Sequence, residues 1–398
     1  MDKTVLDYQS LDTHSAVAYH WRVWQLTGLL RPKSFSSGLF IIYSIVINTL
    51  VTLLFPLTLV IQLFFAHNLQ ALFENLTITI TDIAANLKFI NVFLVRQELK
   101  QIKRLLQRLD RRAIQVNNPK ELEVLRRAVA TSRTGFRIFA GIFIIGTILS
   151  CLRVAFAKQR ELLYPAWFGI DWHRSDVAYV AIYVYQLIGL IVQAAQDCAN
   201  DSYPPAYLGI LTGHMRALEL RVRRIGYPAV RPTAVNYESW RISVYNDLRN
   251  CIDDFNCVLK LHEIIQKILS TACMAQFICS GTVQCTVAMH FLYVADSNDL
   301  SAMMLSLVFF LSVTLEVFII CLFGERLRTQ SEALLDSFYG CNWLEQLPQF
   351  KSNLLITLIR AQRPTVIFAG NYISLTLETF VQVLRITYSA FTLLLRTR

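Results

Sequence analysis

Apolar residues run through this chain in blocks too long for the interior of a soluble domain. A membrane-spanning helix needs about 20 predominantly apolar residues, and seven stretches reach that length: 39–65, 71–95, 136–157, 177–199, 268–294, 301–323 and 365–395. The first carries no charge from Gly38 to Phe65, and the sixth is interrupted only by Glu316. The second and fourth are weaker, with Asp82 and Lys88 in one and Asp197 in the other. The seventh is long enough for a span plus a bent or cytoplasmic portion. Between spans the pattern turns amphipathic. The 96–133 segment reads as a helical extension of its flanking spans: Leu99, Ile102, Leu106, Leu109 and Ala113 recur at three- and four-residue spacing, with Lys and Arg on the other face. Residues 206–225 and 236–265 read the same way, separated by a turn-rich break over 226–232. Such helices either lie on lipid headgroups or continue spans four to seven beyond the membrane, and the pattern admits both. The predicted fold class is all-α: one seven-span membrane domain over residues 1–398, with helical cytoplasmic extensions.

Composition agrees, with 54% hydrophobic and 17% charged residues where a soluble domain carries about 25% charged. The net charge of +10 raises nucleic acid as a partner, so the placement of the charges decides. Four Lys/Arg lie before the first span, eleven in 96–133, eight in 200–265 and five in 324–364. The alternate segments hold none between the first two spans, three in 158–176, none in 295–300 and two at the C-terminus. Basic loops are retained inside, so the N-terminus is expected in the cytoplasm and the C-terminus outside. The first 37 residues show no cleavable signal pattern. The basic surplus is thus a topology signal, and nucleic-acid binding has little support. The orientation is the reverse of a G-protein-coupled receptor, and no DRY-like triplet follows the third span and no NPxxY lies near the last. The nine Cys form no CxxC pair and suggest neither a disulfide scaffold nor a metal site. Without HExxH, GxSxG or a P-loop, nothing points to an enzyme or a cofactor. No internal repeat suggests a transporter.

The C-terminal 75 residues carry a resemblance. Gly324-Glu325 ends the sixth span, followed by Phe338-Tyr339-Gly340-Cys341-Asn342-Trp343, Arg360-Ala361-Gln362-Arg363-Pro364, Ala369-Gly370, Leu375-Thr376-Leu377-Glu378-Thr379-Phe380 and Tyr388-Ser389-Ala390-Phe391-Thr392-Leu393-Leu394. In order and spacing this resembles the insect odorant receptor family. Leu163-Tyr164-Pro165-Ala166-Trp167-Phe168 resembles its second extracellular loop, and Asp201 through Leu218 the end of its fourth span. Gustatory receptors rank second, because Thr387-Tyr388 is not followed by their Gln-Phe ending. The resemblance implies a cell-membrane protein of olfactory neuron dendrites, acting as an odorant-gated, non-selective cation channel. It implies a heterotetramer with a shared co-receptor subunit, seventh spans lining the pore, and cytoplasmic extensions anchoring the subunits. The long insertion between spans four and five that marks the co-receptor is missing, which implies a tuning subunit.

By the same resemblance, Leu393 occupies the position of a hydrophobic gate, with Phe391 and Leu394 beside it and Arg396 at the pore mouth. An apolar ring that sheds water when narrow is a physically reasonable gate. The volatile ligand is expected in an apolar cavity with a few orienting polar groups, in the outer halves of spans two, three, four and six with help from the fifth. Candidates are Phe73, Leu76, Thr77 and Ile80; Ile148, Cys151, Leu152 and Ala155; Tyr179, Tyr183 and Gln186; and Cys285 and Met289. Intramembrane charges are costly, so Lys88 is expected to pair with Asp197 or Asp201, and Arg153 to reach for the interface. Glu378 and Arg385 are two helical turns apart. The sequon Asn75-Leu76-Thr77 is a candidate glycosylation site, whereas Asn200-Asp201-Ser202 is expected to be buried or cytoplasmic.

Overall fold

The structure is a computed structural model that describes residues 11–32, 35–65, 69–156, 160–227, 236–297 and 300–396. A 3-10 turn (Thr13–Val17) leads into α1 (Ala18–Leu26). The first span, Ser37–Leu63, consists of α2 (Ser37–Ile47), a π-helical stretch (Asn48–Leu54) and α3 (Phe55–Leu63). Pro56 stands in the first turn of α3 and has no N–H to close the α-helical ladder, which fits the widened turns before it. Then follow α4 (Leu69–Leu94), α5 (Arg96–Val116), α6 (Pro119–Ala155), α7 (Asp176–Val222), α8 (Tyr237–Ser297), α9 (Leu300–Tyr339) and α10 (Pro348–Ala361). A hairpin, β1 (Phe368–Ala369) with β2 (Ile373–Ser374), precedes α11 (Leu377–Arg396).

Among the described residues, six helices are long and apolar enough to cross a bilayer, and their exposed Ile, Leu, Val and Phe side chains form the lipid-facing surface. The seventh, α11, is shorter and more polar. It begins at Leu377, so the expected span 365–395 is corrected: its first dozen residues form the hairpin. The four segments rich in Lys and Arg gather at one end. There, Leu99, Ile102, Leu106 and Leu109 of α5 join a core with α1, α7, α8 and α9, and Val222, Leu248, Phe338 and Phe350 anchor a second core with α10.

Of the two readings left open for the amphipathic segments, continuation is the one realised. The helices α6 to α9 run without a break from the apolar zone into the basic bundle. The third span extends this way too, in keeping with 96–133 as a helical extension of its flanking spans, while the seventh is preceded by the hairpin instead. The expected separation of 177–199 from 206–225 also disappears, because α7 passes through Pro204 and Pro205. Each proline withdraws one N–H from the ladder. The region is almost wholly buried, and Asn200, Asp201 and Ser202 find partners on α1 and α4, which is how membrane helices tolerate proline.

Two glycines explain parts of the C-terminal motif. A Cβ on Gly324 would sit 2.2 Å from the Leu375 carbonyl oxygen, so only glycine lets α9 meet the chain entering α11. Gly226 has φ +78° and lies against Asn342. There the Asn342 backbone N–H donates to the Ile225 carbonyl at 3.1 Å, and its side-chain amide donates to the Gly226 carbonyl at 2.8 Å.

The N-terminal segment, which looked merely polar, is a docked element. Thr13 donates to Asp110 through both its backbone N–H and its hydroxyl, each at 2.9 Å, and the hydroxyl lies 3.1 Å from His214 Nε2. His20 Nε2 lies 2.9 Å from Ser202 Oγ, and fully buried Trp24 donates from its indole to Asn200 Oδ1 at 3.2 Å. Burial lowers His14 to about 4 and His20 to about 3, and raises Asp110 to about 7 against the pull of the Thr13 hydrogen bonds. The released histidines would titrate near 6.5. Below that pH the undocked segment therefore takes up protons that the docked one refuses, and docking weakens as pH falls toward 4. Asp110 works the other way: acidification from about 7 toward its free value of 3.8 protonates it first in the docked state. Two histidines outweigh one carboxylate. With the base-catalysed intrinsic exchange rate divided out, the hydrogen-exchange protection of residues 13–26 should be lower at about pH 5 than at about pH 7.5, and Asp110→Asn, which removes the counterweight, should enlarge the difference.

Candidate functional site

At the end opposite the basic bundle, the described part of the segment that links α6 to α7 packs against α3, α4, α6 and α7, and α4 packs on α8 and α9. One wall lies between α4 and α8. The rings of Phe73 and Tyr293 stack at 5.7 Å, and Thr77 Oγ1 donates to Thr286 Oγ1 at 3.2 Å. Ile80 packs against buried Val283, Val287 and Val313, beside Phe309 and Phe310 of α9. Met289 is buried on α8, and Leu76 is half-buried on α4. His290 Nδ1 lies 2.9 Å from Ser306 Oγ, and the Gln284 amide donates to Thr314 Oγ1 at 3.0 Å. The Gln284 Oε1 acceptor and the Asn75 Nδ2 donor are buried without a partner among the described residues. Buried polar atoms are nearly always paired with protein or water, so these two leave hydrogen-bonding capacity for water or a small polar guest.

The second wall brings Cys151 of α6 against Tyr183 of α7. Tyr179 sits nearer the rim, where its hydroxyl donates to the Glu161 carbonyl at 3.0 Å. Gln186 has a different role from the one expected. It is fully buried, accepts from the Leu163 and Tyr164 backbone N–H groups at 3.0 and 3.5 Å, and donates to the Tyr164 carbonyl at 2.9 Å. It therefore pins the α6–α7 segment and is largely spent.

Other expectations are corrected too. Ile148 and Leu152 are 52% and 45% exposed, and Ala155 is exposed with them, because this stripe of α6 faces outward. Cys285 points the other way from the wall, with its thiol 3.7 Å from the Thr387 carbonyl of α11. Asn75 is 1% exposed, and its Oδ1 accepts from Thr79 Oγ1 at 2.9 Å, so the packed chain has no room for a glycan there. Arg153 does not merely reach for the interface: it donates to Glu74 Oε1 and to the Leu163 carbonyl, both at 3.0 Å. Tyr293, Phe309 and Phe310 were not anticipated. The signal was available for Tyr293, which follows Met289 by one helical turn on the α8 face that carries Thr286.

The helix α11 presents a polar stripe. Glu378, Gln382, Arg385, Ser389 and Arg396 are exposed at helical spacing, together with Leu393 at 65%. Phe391 is half-buried, and the side chain of Leu394 lies outside the described residues. The foot of α11 is held by the hairpin. Gly370 and Asn371 both take positive φ, +60° and +65°, as a tight type I′ turn requires. The hairpin is tied to α8: Gln266 exchanges two 2.8 Å hydrogen bonds with Phe368, and the Gly370 N–H donates to the Ser270 carbonyl at 2.9 Å.

Between this foot and the opposite-end walls lies a buried charge cluster. Lys88 of α4 pairs with Asp201 of α7, as the sequence suggested. Asp197 of α7 and Glu316 of α9 act on the same ammonium, and Glu316 accepts from the Gln276 amide of α8 at 2.9 Å. One cation thus links four helices.

This architecture defines a multi-span helical membrane protein with a basic bundle at one end and an amphipathic final helix. Residues 68–388 match the family model described as 7tm Odorant receptor. The chain is 61% identical to Odorant receptor 2a of Drosophila melanogaster over 389 residues, covering 98% of both chains. It is 28% identical to Odorant receptor 19a of the same organism, again over 98% of both. The chain belongs to the insect odorant receptor family. Its fold is that of the insect olfactory receptor OR5 from Machilis hrabei, with a TM-score of 0.77 at 15% identity, over 98% of this chain and 100% of that one. That receptor has also been solved in complex with eugenol, with the same TM-score.

Removing one partner of a buried ion pair typically costs about 3–5 kcal/mol, because the other charge is left uncompensated. Lys88→Met should therefore lower the thermal unfolding midpoint of the purified protein sharply. Lys88→Met with Asp201→Asn should recover much of the loss in the same measurement.

Proposed function

We propose that this chain is a tuning subunit of an odorant-gated, non-selective cation channel in the cell membrane of olfactory neuron dendrites. The N-terminus and the basic bundle lie in the cytoplasm, in keeping with the retention of Lys/Arg-rich segments on that side. The observation that carries the reading is the polar stripe of α11. A helix in lipid does not keep Gln382, Arg385 and Ser389 exposed along one line unless water or a neighbouring subunit meets them. Four such helices around an axis, one or more from a shared co-receptor, supply that environment. Leu393 serves as the apolar constriction, with Phe391 and Leu394 adjacent and Arg396 at the outer mouth.

The ligand is a small volatile molecule, held between α4, α7, α8 and α9 by Phe73, Thr77, Ile80, Met289 and Tyr293, with Cys151 and Tyr183 on the facing wall. Its apolar body gains from burial at about 25 cal/mol per Å². A carbonyl, hydroxyl or ether oxygen takes a hydrogen bond from a threonine or tyrosine hydroxyl or a buried amide. The relative solved with eugenol, an oxygenated aromatic, supports a guest of this chemistry. Cys285 and Thr387 offer a direct route from this wall to the conducting helix, because movement of α8 there displaces the α11 backbone.

The test is co-expression with the co-receptor and recording of currents for an odorant panel, with and without intracellular GTP. Odorant-evoked current should persist without GTP; its disappearance would refute the channel reading. Phe73→Ala and Tyr183→Ala should each change the concentration needed for some odorants by about tenfold, the order of a lost aromatic contact, while leaving maximal current intact. Leu393→Ala should raise leak or alter gating equally for every odorant, which distinguishes the gate from the ligand site.

A further inference from the structure

The basic end of the first span carries a feature that neither ligand recognition nor conduction uses. A groove of about 460 Å³ lies between α1 and α2, lined by Arg22, Leu26, Pro32, Phe35, Phe40 and Tyr43. Its walls are fixed, since the Tyr43 hydroxyl donates to the Leu26 carbonyl and Ser44 Oγ donates to the Gly28 carbonyl at 2.7 Å. Its surface is nonetheless open and apolar, with Leu26 and Phe35 69% and 50% exposed. The groove sits where the uncharged run of the first span begins, at the boundary between hydrocarbon and headgroups.

The polar end of the groove is strongly cationic. The Arg22 guanidinium lies 6.0 Å from the ring centre of Tyr19, which stacks on Phe136 of α6 at 5.3 Å. Arg137 acts most strongly on the Tyr19 hydroxyl, with Arg133 and Arg22 acting more weakly, which together hold the phenol below its usual range. The Arg133 Nε–H donates to the Ser15 carbonyl at 3.3 Å. Among the described residues, none of these three arginines has a carboxylate partner, although many basic residues elsewhere in the bundle do. Three uncompensated guanidinium groups, drawn from two elements and placed around one phenol, repel one another. An anion resting among them would relieve that repulsion.

We propose that this site binds one anionic phospholipid of the adjoining leaflet, with its phosphate on Arg22, Arg133 and Arg137 and an acyl chain along Leu26, Phe35 and Phe40. The pairing of a guanidinium cluster with an apolar groove at the interface selects a lipid over a soluble phosphate, because only the lipid satisfies both halves. The bound lipid would fasten α1 to the first span and to α6, and so hold the docked N-terminal segment in place. This inference does not depend on the odorant or channel reading.

The experiment is a titration of the thermal unfolding midpoint of the purified full chain in detergent micelles doped with phosphatidylserine, with phosphatidylcholine, or with inorganic phosphate at matched headgroup concentration. Phosphatidylserine should stabilise the protein, and the other two should have little effect. The double variant Arg22→Gln/Arg137→Gln removes two exposed side chains. At about 1 kcal/mol per basic residue near an anionic lipid, the lipid concentration required should rise roughly 30-fold. Arg104→Gln/Arg111→Gln, an equal loss of charge on α5, should leave it unchanged. Phe35→Ser should weaken stabilisation by long-chain phosphatidylserine but not by a short-chain analogue. The proposal is overturned if phosphatidylcholine or inorganic phosphate stabilises equally, or if the Arg22/Arg137 variant, or the single Arg137→Gln should the double fail to fold, keeps the wild-type response.

Discussion

The pairing of Lys88 with Asp201 sets the terms for the rest of the molecule. It lies at the level where the apolar zone gives way to the basic bundle, and it joins α4 to α7 while Asp197, Glu316 and Gln276 bring in α8 and α9. In a medium where an isolated charge is severely penalised, such a group is tolerated only when its partners are fixed in place. The four helices are therefore held in register at this level. On one side of it lie the Phe73–Tyr293 and Cys151–Tyr183 contacts; on the other, the helices continue into a bundle packed with leucine, aromatic side chains and ion pairs.

That bundle has its own electrostatic logic. Glu121 of α6 is fully buried and accepts from Arg221 of α7 and from Arg224 in the turn beyond it, both at 2.8 Å, and Arg221 also pairs with Asp254 of α8. Glu219 is equally buried, between Arg216, Arg223 and the Gln330 amide of α9. Surface ion pairs contribute little on their own, but these carboxylates are out of water and each serves two or more donors. Such shared pairs specify which helix faces meet. They also account for much of the basic surplus: part of it is a topology signal, and part is consumed inside the bundle.

The hairpin joins this rigid body to α11. It is short and built on two left-handed residues, and its hydrogen bonds go to α8 at Gln266 and Ser270. A small rotation of α8 therefore reaches the foot of α11, while the Cys285–Thr387 contact reaches its middle. A helix held at two points along another helix moves with it, so these contacts couple the polar stripe of α11 to α8.

Sequence by itself determined the class, the number of apolar runs and the amphipathic face of α5, because hydrophobic length and 3.6-residue periodicity are local properties. Leu99, Ile102, Leu106, Leu109 and Ala113 all lie in the interior, as their spacing requires. It also narrowed the partner of Lys88 to Asp197 or Asp201, since an intramembrane charge has so few acceptable environments; the packing of α4 on α7 chose Asp201. What it could not supply was phase and partnership. Ile148, Leu152 and Ala155 share one stripe of α6 whether that stripe faces a cavity or lipid, and only the packing of α6 against α7 decides which. Gln186 looks like a ligand-orienting amide until the Leu163–Tyr164 backbone is seen to occupy it. The polar N-terminal segment gives no periodic signal, yet it docks through Thr13, His20 and Trp24, whose partners lie about 100 to 200 residues away. Contacts of that range are set by tertiary structure, because no local pattern encodes which distant helix will complete a hydrogen bond.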